Sequence, residues 1–173
     1  MYPTEYIQFL AHFHGDRDYF ECHEILEEYW KQTDSNNKSS IWVGLILLAV
    51  STYHHRRSNF VGAVRTLEKA LKMFKSQTTC LAKLGLNGQL FLDSLEERLS
   101  LMKNSRPYTS FNLPIGDPVL MERCHNYCQQ TGLQWGKESD ISNDNLIHRH
   151  ALRDRSSVIA ERIYSLKLRK GKE

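Results

Sequence analysis

Apolar residues recur along this chain at intervals of three and four, the period of an α-helix rather than the alternation of a strand. Tyr6, Leu10 and Phe13 fall on one face and predict a first helix from about Pro3 to His14. Proline suits the first turn, where its missing N–H would be unpaired anyway, and Gly15 supplies a stop. Asp18 and Glu21 make a D-x-x-E capping pair that opens a second helix. Its apolar stripe is Tyr19, Cys22, Ile25, Leu26, Tyr29 and Trp30. The polar run KQTDSNNKSS then reads as a loop. A third helix over about 40 to 56 is apolar on all sides until Ser51, which places it centrally among the others. It closes in YHHRRSN, bringing His54, His55, Arg56 and Arg57 to the rim of the core. A fourth helix carries Phe60, Ala63, Leu67, Ala70, Leu71 and Phe74 at helical spacing, with Ser58 or Asn59 as its cap.

Beyond residue 75 the pattern continues more loosely. A fifth helix from about Asn87 to Lys103 carries Leu92, Leu95, Leu99 and Met102 on one side. The segment NSRPYTSFNLPIGDP reads as an extended stretch draped over the bundle, because proline biases the residue before it away from helix. Asp117 and Pro118 open a sixth helix that Gly132 ends. A last helix from about Ser142 to Leu168 finishes in a polar, frayed KLRKGKE. Its stripe of Leu152, Ile159, Ile163 and Leu166 is expected to dock on the bundle and leave Arg149, Arg153 and Arg162 outward. The expected fold class is all-α, a multihelical bundle of antiparallel helical hairpins with additional C-terminal helices. Residues 1–75 are expected to form the hairpin core. Residues 76–173 are expected to form a helical extension packed on it within one compact domain.

A faint internal repeat supports the hairpin reading. Residues 14–30 laid on 55–71 align His14 with His55, Tyr19 with Phe60, Leu26 with Leu67 and Glu27 with Glu68. The pattern has the look of a tetratricopeptide helical hairpin, although two hairpins fall short of the three or more that a solenoid usually needs.

Composition changes the picture in three places. The longest apolar run has ten residues, IWVGLILLAV, where a membrane-spanning helix needs about 20. The start, MYPTEYIQF, lacks the basic and apolar regions of a signal peptide, so no membrane association and a cytoplasmic location are expected. Cys22, Cys80, Cys124 and Cys128 include no C-x-x-C pair and read as reduced thiols. The net charge of +3 conceals an asymmetry: residues 1–40 carry eight acids and three bases, and residues 148–173 carry eight bases and three acids. Such a split marks a partner or nucleic-acid surface, or simply a solvated helix face.

The stretch HGDRDYFECHEILEEYW, followed by WVGLILLAVSTYHHRRSNFVGAVRTLEKAL, resembles the family catalogued as domain of unknown function 309. The resemblance is carried by Tyr19–Phe20, His23–Glu24, Leu26–Glu27, Trp30, Gly44–Leu45–Ile46, His55–Arg56, and Asn59 with Gly62–Ala63. It covers about residues 6–75. It implies an all-α helical bundle in a soluble bacterial or organellar protein, and it implies no activity.

The chemistry concentrates in two segments. HEILE resembles a metalloprotease H-E-x-x-H helix, but Glu27 stands where the second histidine should be. His23 and Glu27, one turn apart, could still hold a divalent metal with a third ligand, His54 or His55, from the next helix. The pair Glu122 and His125 has no companion E-x-x-H, so a di-iron carboxylate centre is a poor fit. Cys124, His125 and Cys128 share their helix with core residues and read as packing. No phosphate loop or nucleophile elbow is present. Catalytic candidates are His23, Glu24, Glu27, His55 and Arg56, since a His–Glu pair is a plausible acid–base couple. Metal candidates are His23, Glu27, His54 and His55. Binding candidates are Trp30, Asn59, Arg149 and Arg153. The alternative for the whole cluster is a hydrogen-bonded network fixing three helices, in which case loss of His23 should cost about 1–3 kcal/mol.

The leading expectation is a non-enzymatic helical binding or scaffold protein acting on a protein partner. The basic tail is the candidate for nucleic-acid contact, through phosphate neutralisation rather than base stacking. The rival is a metal-binding protein or metal-dependent hydrolase.

Overall fold

A computed structural model describes residues 1–152 together with residues 160, 163, 164 and 167. It is all-α: the described residues contain helices and one isolated backbone bridge, Leu86 to Ile115, but no strand. In chain order the helices are α1 (Thr4–His14), α2 (Tyr19–Thr33), α3 (Ile41–Arg56), α4 (Phe60–Lys75), α5 (Thr78–Lys83), α6 (Gly88–Lys103), α7 (Pro118–Thr131), α8 (Asp144–Ile147) and α9 (Arg149–Leu152). None is long and apolar enough to cross a membrane.

The helix starts follow from short polar caps. Asp18 accepts from the N–H of Glu21 at 3.0 Å, Asn59 from Gly62 at 3.1 Å, and Asn87 from Leu90 at 3.1 Å. Each satisfies one N–H that the first turn would leave unpaired. Gly132 ends α7 in the left-handed conformation, φ 75°. Gly15 ends α1 as expected, but not in the left-handed conformation. Its φ is −90°, and a Cβ there would lie 2.6 Å from the carbonyl oxygen of Ala11. The glycine is needed for room. Two boundaries depart from the sequence reading. The short α5 escapes it because one turn leaves no period to detect. The single last helix is broken at His148, where the chain turns so that Arg149 reaches Asp18 and His150 reaches Tyr53.

Helices α1 to α4 pack each against the next, with α3 between α2 and α4. Short turns join them, so each runs back along its predecessor. Helix α3 packs closely on α4 at Gly44, where a Cβ would sit 2.7 Å from the Phe74 ring. The core centres on Tyr6, Phe9, Leu10, Phe13, Tyr19, Leu45, Leu67, Phe74 and Phe91, all with no exposed surface. Helix α6 packs on α4, and α7 packs on α1.

Residues 104–117 form an extended strap, as the prolines predict, and the strap is bonded to the ends of α1 and α3. His14 accepts from the Leu113 N–H at 2.9 Å, and His55 Nε2 donates to the Arg106 carbonyl at 2.8 Å. The expected docking of the C-terminal stripe rests mostly on residues outside the described set, as does Arg153. Ile163 is described and is about half exposed. Arg149 is drawn to Asp18 instead of facing freely outward.

Candidate functional site

Helix α2 presents His23 on its flank, between buried Cys22 and partly buried Glu24. Both edges of the imidazole are occupied. Nδ1 lies 3.2 Å from Glu24 Oε1, and Nε2 lies 2.8 Å from Glu27 Oε2. Lys31 approaches the other oxygen of Glu27 at 2.8 Å. The hydrogen bond from His23 is the main cause that holds the Glu27 carboxyl down at about 2; burial opposes it, and the hydrogen bond from Lys31 adds a smaller lowering. Helical spacing predicts the pairing of His23 with Glu27. It does not predict Glu24, whose backbone points largely the other way and whose long side chain swings back to meet its neighbour.

His23, Glu24 and Glu27 form a group of potential metal ligands whose atoms lie within 4.8 Å of one another. Neither His54 nor His55 joins it. The two carboxylates face opposite edges of one imidazole. A single ion would therefore meet one imidazole nitrogen and one carboxylate before any side chain rotated, fewer than the three protein ligands of an ordinary catalytic zinc site.

The end of α3 holds a second polar group, and it is deeper than a rim. His55 is 1 % exposed and Arg56 is 7 % exposed. Arg56 donates to the carbonyl of Arg17 at 2.6 Å and to Ser139 Oγ at 3.1 Å, and its guanidinium lies 4.6 Å from the centre of the Tyr19 ring. Cation–π contact of this kind stabilises a desolvated guanidinium. Burial depresses His55, leaving it neutral near pH 7. Among the described residues its Nδ1 has no hydrogen-bond partner.

Arg17 is the residue that the sequence reading misses. It is 1 % exposed, yet it sits in the turn before α2 with φ 58°. Its guanidinium donates to the carbonyls of Phe13, Phe111 and Lys137 and to Asn112 Oδ1, at 2.5 to 3.1 Å. One side chain thus ties α1 to the strap and to the 133–143 loop. Among the described residues no carboxylate lies within ion-pair distance of Arg17 or Arg56. The only hint in the sequence is an arginine between two aspartates in HGDRDYF, which looks like an exposed turn.

Between α2 and α3, next to α9, lies an apolar cleft of about 190 Å³. Tyr19, Phe20, His23, Val50, Tyr53, His54 and His150 line it. His23 and His54, the two histidines expected to share a metal, therefore line one cleft without converging on one point. Tyr53 and His150 were not picked out from the sequence. Tyr53 looks like an ordinary core aromatic, and His150 lies in a tail that reads only as basic.

The remaining candidates scatter. Trp30 is partly buried and donates from Nε1 to the Asn37 carbonyl at 3.1 Å, closing the α2–α3 loop. Asn59 is the α4 cap and also touches His54. Arg149 pairs with buried Asp18 and lies 3.9 Å from Glu21. Glu122 and His125 are both exposed on α7. All four cysteines are free thiols; burial pushes Cys124 up to about 12, far from a reactive thiolate.

This arrangement defines a class: a helical-hairpin protein whose polar cluster sits where the second hairpin meets an extended strap. The chain belongs to the family described as "Domain of unknown function (DUF309)", whose signature matches residues 6–66. It is 42 % identical over 170 residues to "Uncharacterized protein YpuF" of Bacillus subtilis (strain 168), covering 98 % of each chain. The likeness therefore extends through the strap and C-terminal helices, beyond the part that the family signature covers. No solved structure matches the chain.

Proposed function

We propose that the protein is a non-enzymatic, cytoplasmic helical binding protein that presents its hairpins to a protein partner. One observation carries this reading. The polar groups that could have formed an acid–base or metal centre are engaged in holding the fold. His23 bridges two carboxylates on its own helix, His55 bonds the strap, and Arg56 bonds the turn before α2. A general base needs a free lone pair within reach of a substrate proton; both nitrogens of His23 face carboxylates, and the open Nδ1 of His55 is buried. The split charge supports a partner surface: the outward carboxylates of α2 lie opposite in sign to the tail that starts at Arg149.

A second reading is favoured by the 4.8 Å grouping of His23, Glu24 and Glu27, which could gather a divalent cation with water completing its shell. Native affinity capture, paired with a hydrolase screen of the purified protein, separates the two. The binding reading expects a stoichiometric protein partner and no turnover. Turnover of a substrate with no stoichiometric partner would sink it.

A further inference from the structure

We propose that residues 136–150 form a lid over the start of α2, latched by Arg149 on Asp18, and that lifting the lid opens access to buried Arg56. This goes beyond the partner-binding reading and does not depend on it. The case rests on how this segment is attached.

Eleven of the fifteen residues from 136 to 150 are exposed, and Ile147 alone is buried. The segment therefore has little apolar contact to hold it. Its bonds to the rest of the protein are polar. The Gly136 N–H donates to the His14 carbonyl at 2.8 Å, and the Ser139 N–H donates to Ser110 Oγ at 2.9 Å. Arg17 donates to the Lys137 carbonyl at 2.8 Å, and Arg56 donates to Ser139 Oγ at 3.1 Å. At the far end Arg149 pairs with Asp18, and His150 meets Tyr53. A unit with few buried apolar contacts opens at a lower free energy than the whole fold.

The latch is asymmetric, which suits it to release. The Asp18 side chain is 5 % exposed, whereas that of Arg149 is 47 % exposed. The carboxylate is fixed in place because its other oxygen caps α2, accepting from the Glu21 N–H at 3.0 Å. The guanidinium reaches it from the solvent side, with Glu21 at 3.9 Å, and can return to water. Arg149 is thus the part that moves and Asp18 the part that waits.

What lies beneath is Arg56. Two of its three hydrogen-bond acceptors, Ser139 Oγ and the Leu146 carbonyl, belong to the lid. The segment also lies between two cavities. Arg149 helps to line a polar pocket of about 610 Å³ with Asp16, Asp18 and Asp140, and the next residue, His150, lines the apolar cleft of about 190 Å³. Lifting the lid removes a wall from each.

The test uses the full chain. Hydrogen exchange followed by NMR reads the amides of Gly136 and Ser139, which bond across from the lid to the body. Arg149→Ala should speed both by about tenfold or more, because a charge-assisted bond is lost. Arg149→Lys, which keeps the charge, should speed them less. The amides of Ala63 and Phe91, in the first turns of α4 and α6, should not change. Phenylglyoxal, an arginine reagent, should label Arg56 faster by a similar factor in Arg149→Ala, as read by peptide mass spectrometry. On the unaltered chain, raising sodium chloride from about 0.1 to 1 M should speed Gly136 and Ser139, since salt screens the latch. Unchanged exchange in Arg149→Ala, an equal rise at Ala63 and Phe91, or faster lid exchange without faster labelling of Arg56 overturns the proposal. If Arg149→Ala fails to fold, the salt series on the unaltered chain decides alone: lid amides that ignore salt overturn the proposal.

Discussion

Arg17 and Ser58 adopt the same left-handed backbone conformation, φ 58° and 60°, at matching places in two successive helical hairpins. Each is followed by an Asx cap, Asp18 or Asn59, which accepts from the N–H three residues on. An aromatic residue comes next, Tyr19 or Phe60. Each is preceded by a histidine, His14 or His55, that bonds the strap. The weak sequence repeat is therefore a repeated turn. The left-handed region costs a non-glycine residue about 1–2 kcal/mol, and the two copies offset that cost differently. Arg17 gains four acceptors, whereas Ser58 is exposed and gains no such network.

That difference predicts opposite outcomes for one substitution. Ser58→Gly should stabilise the fold by roughly 0.5–1 kcal/mol, since glycine enters the left-handed region without a Cβ clash. Arg17→Gly should destabilise by about 3 kcal/mol or more, because it strands buried carbonyls of three segments. Urea denaturation of both variants checks this. Similar effects of the two substitutions would show that the arginine network contributes nothing.

Acid should weaken the fold in a defined window. His14 is fully buried, stacked on Trp135 at 4.2 Å between ring centres, and donates from Nδ1 to the Leu10 carbonyl at 2.7 Å while Nε2 accepts from Leu113. Burial is the main cause that lowers its pKa from 6.5 to about 4. The unfolded chain then binds more protons between those values, so stability falls as pH drops from about 6.5 towards 4. The loss attached to His14 is on the order of 3 kcal/mol. Denaturation at a series of pH values should show this slope, and His14→Gln should flatten it. A slope equally steep in the variant would assign the effect to other groups.

Loss of His23 should matter less than its sequence context suggests. Its ion pairs with Glu24 and Glu27 are about one-quarter to one-third exposed, and pairs of this kind contribute about 0–1 kcal/mol. His23→Ala should therefore lower stability by less than about 1 kcal/mol, below the 1–3 kcal/mol expected of a buried partner. The Glu27 carboxyl should move up from about 2 while Lys31 keeps it below its usual range. Carboxyl titration by NMR reads that shift directly, and an unmoved Glu27 would contradict the contact.

Much of the fold was legible in the chain because its signals are local. Asp18, Asn59, Asn87 and Asp117 cap the helices that period and capping chemistry predict. The polar cluster was legible only in part. His23 with Glu27 follows from helical spacing, but the depth of His55 and Arg56 depends on the strap that covers them, and residues 104–117 carry no periodic signal. Arg17 was hidden for a related reason: its partners lie at Phe111, Asn112 and Lys137, far along the chain. The His23–His54 juxtaposition was expected as a metal pair and is instead two sides of a cleft.

The central claim is that the His–Glu cluster of α2 is a closed set of ion pairs and not a metal centre. Elemental analysis of tag-free protein, dialysed against excess zinc and then against plain buffer, tests it most directly. The account predicts metal far below one equivalent per chain, unchanged in His23→Ala. One equivalent of bound zinc that disappears in His23→Ala would contradict it.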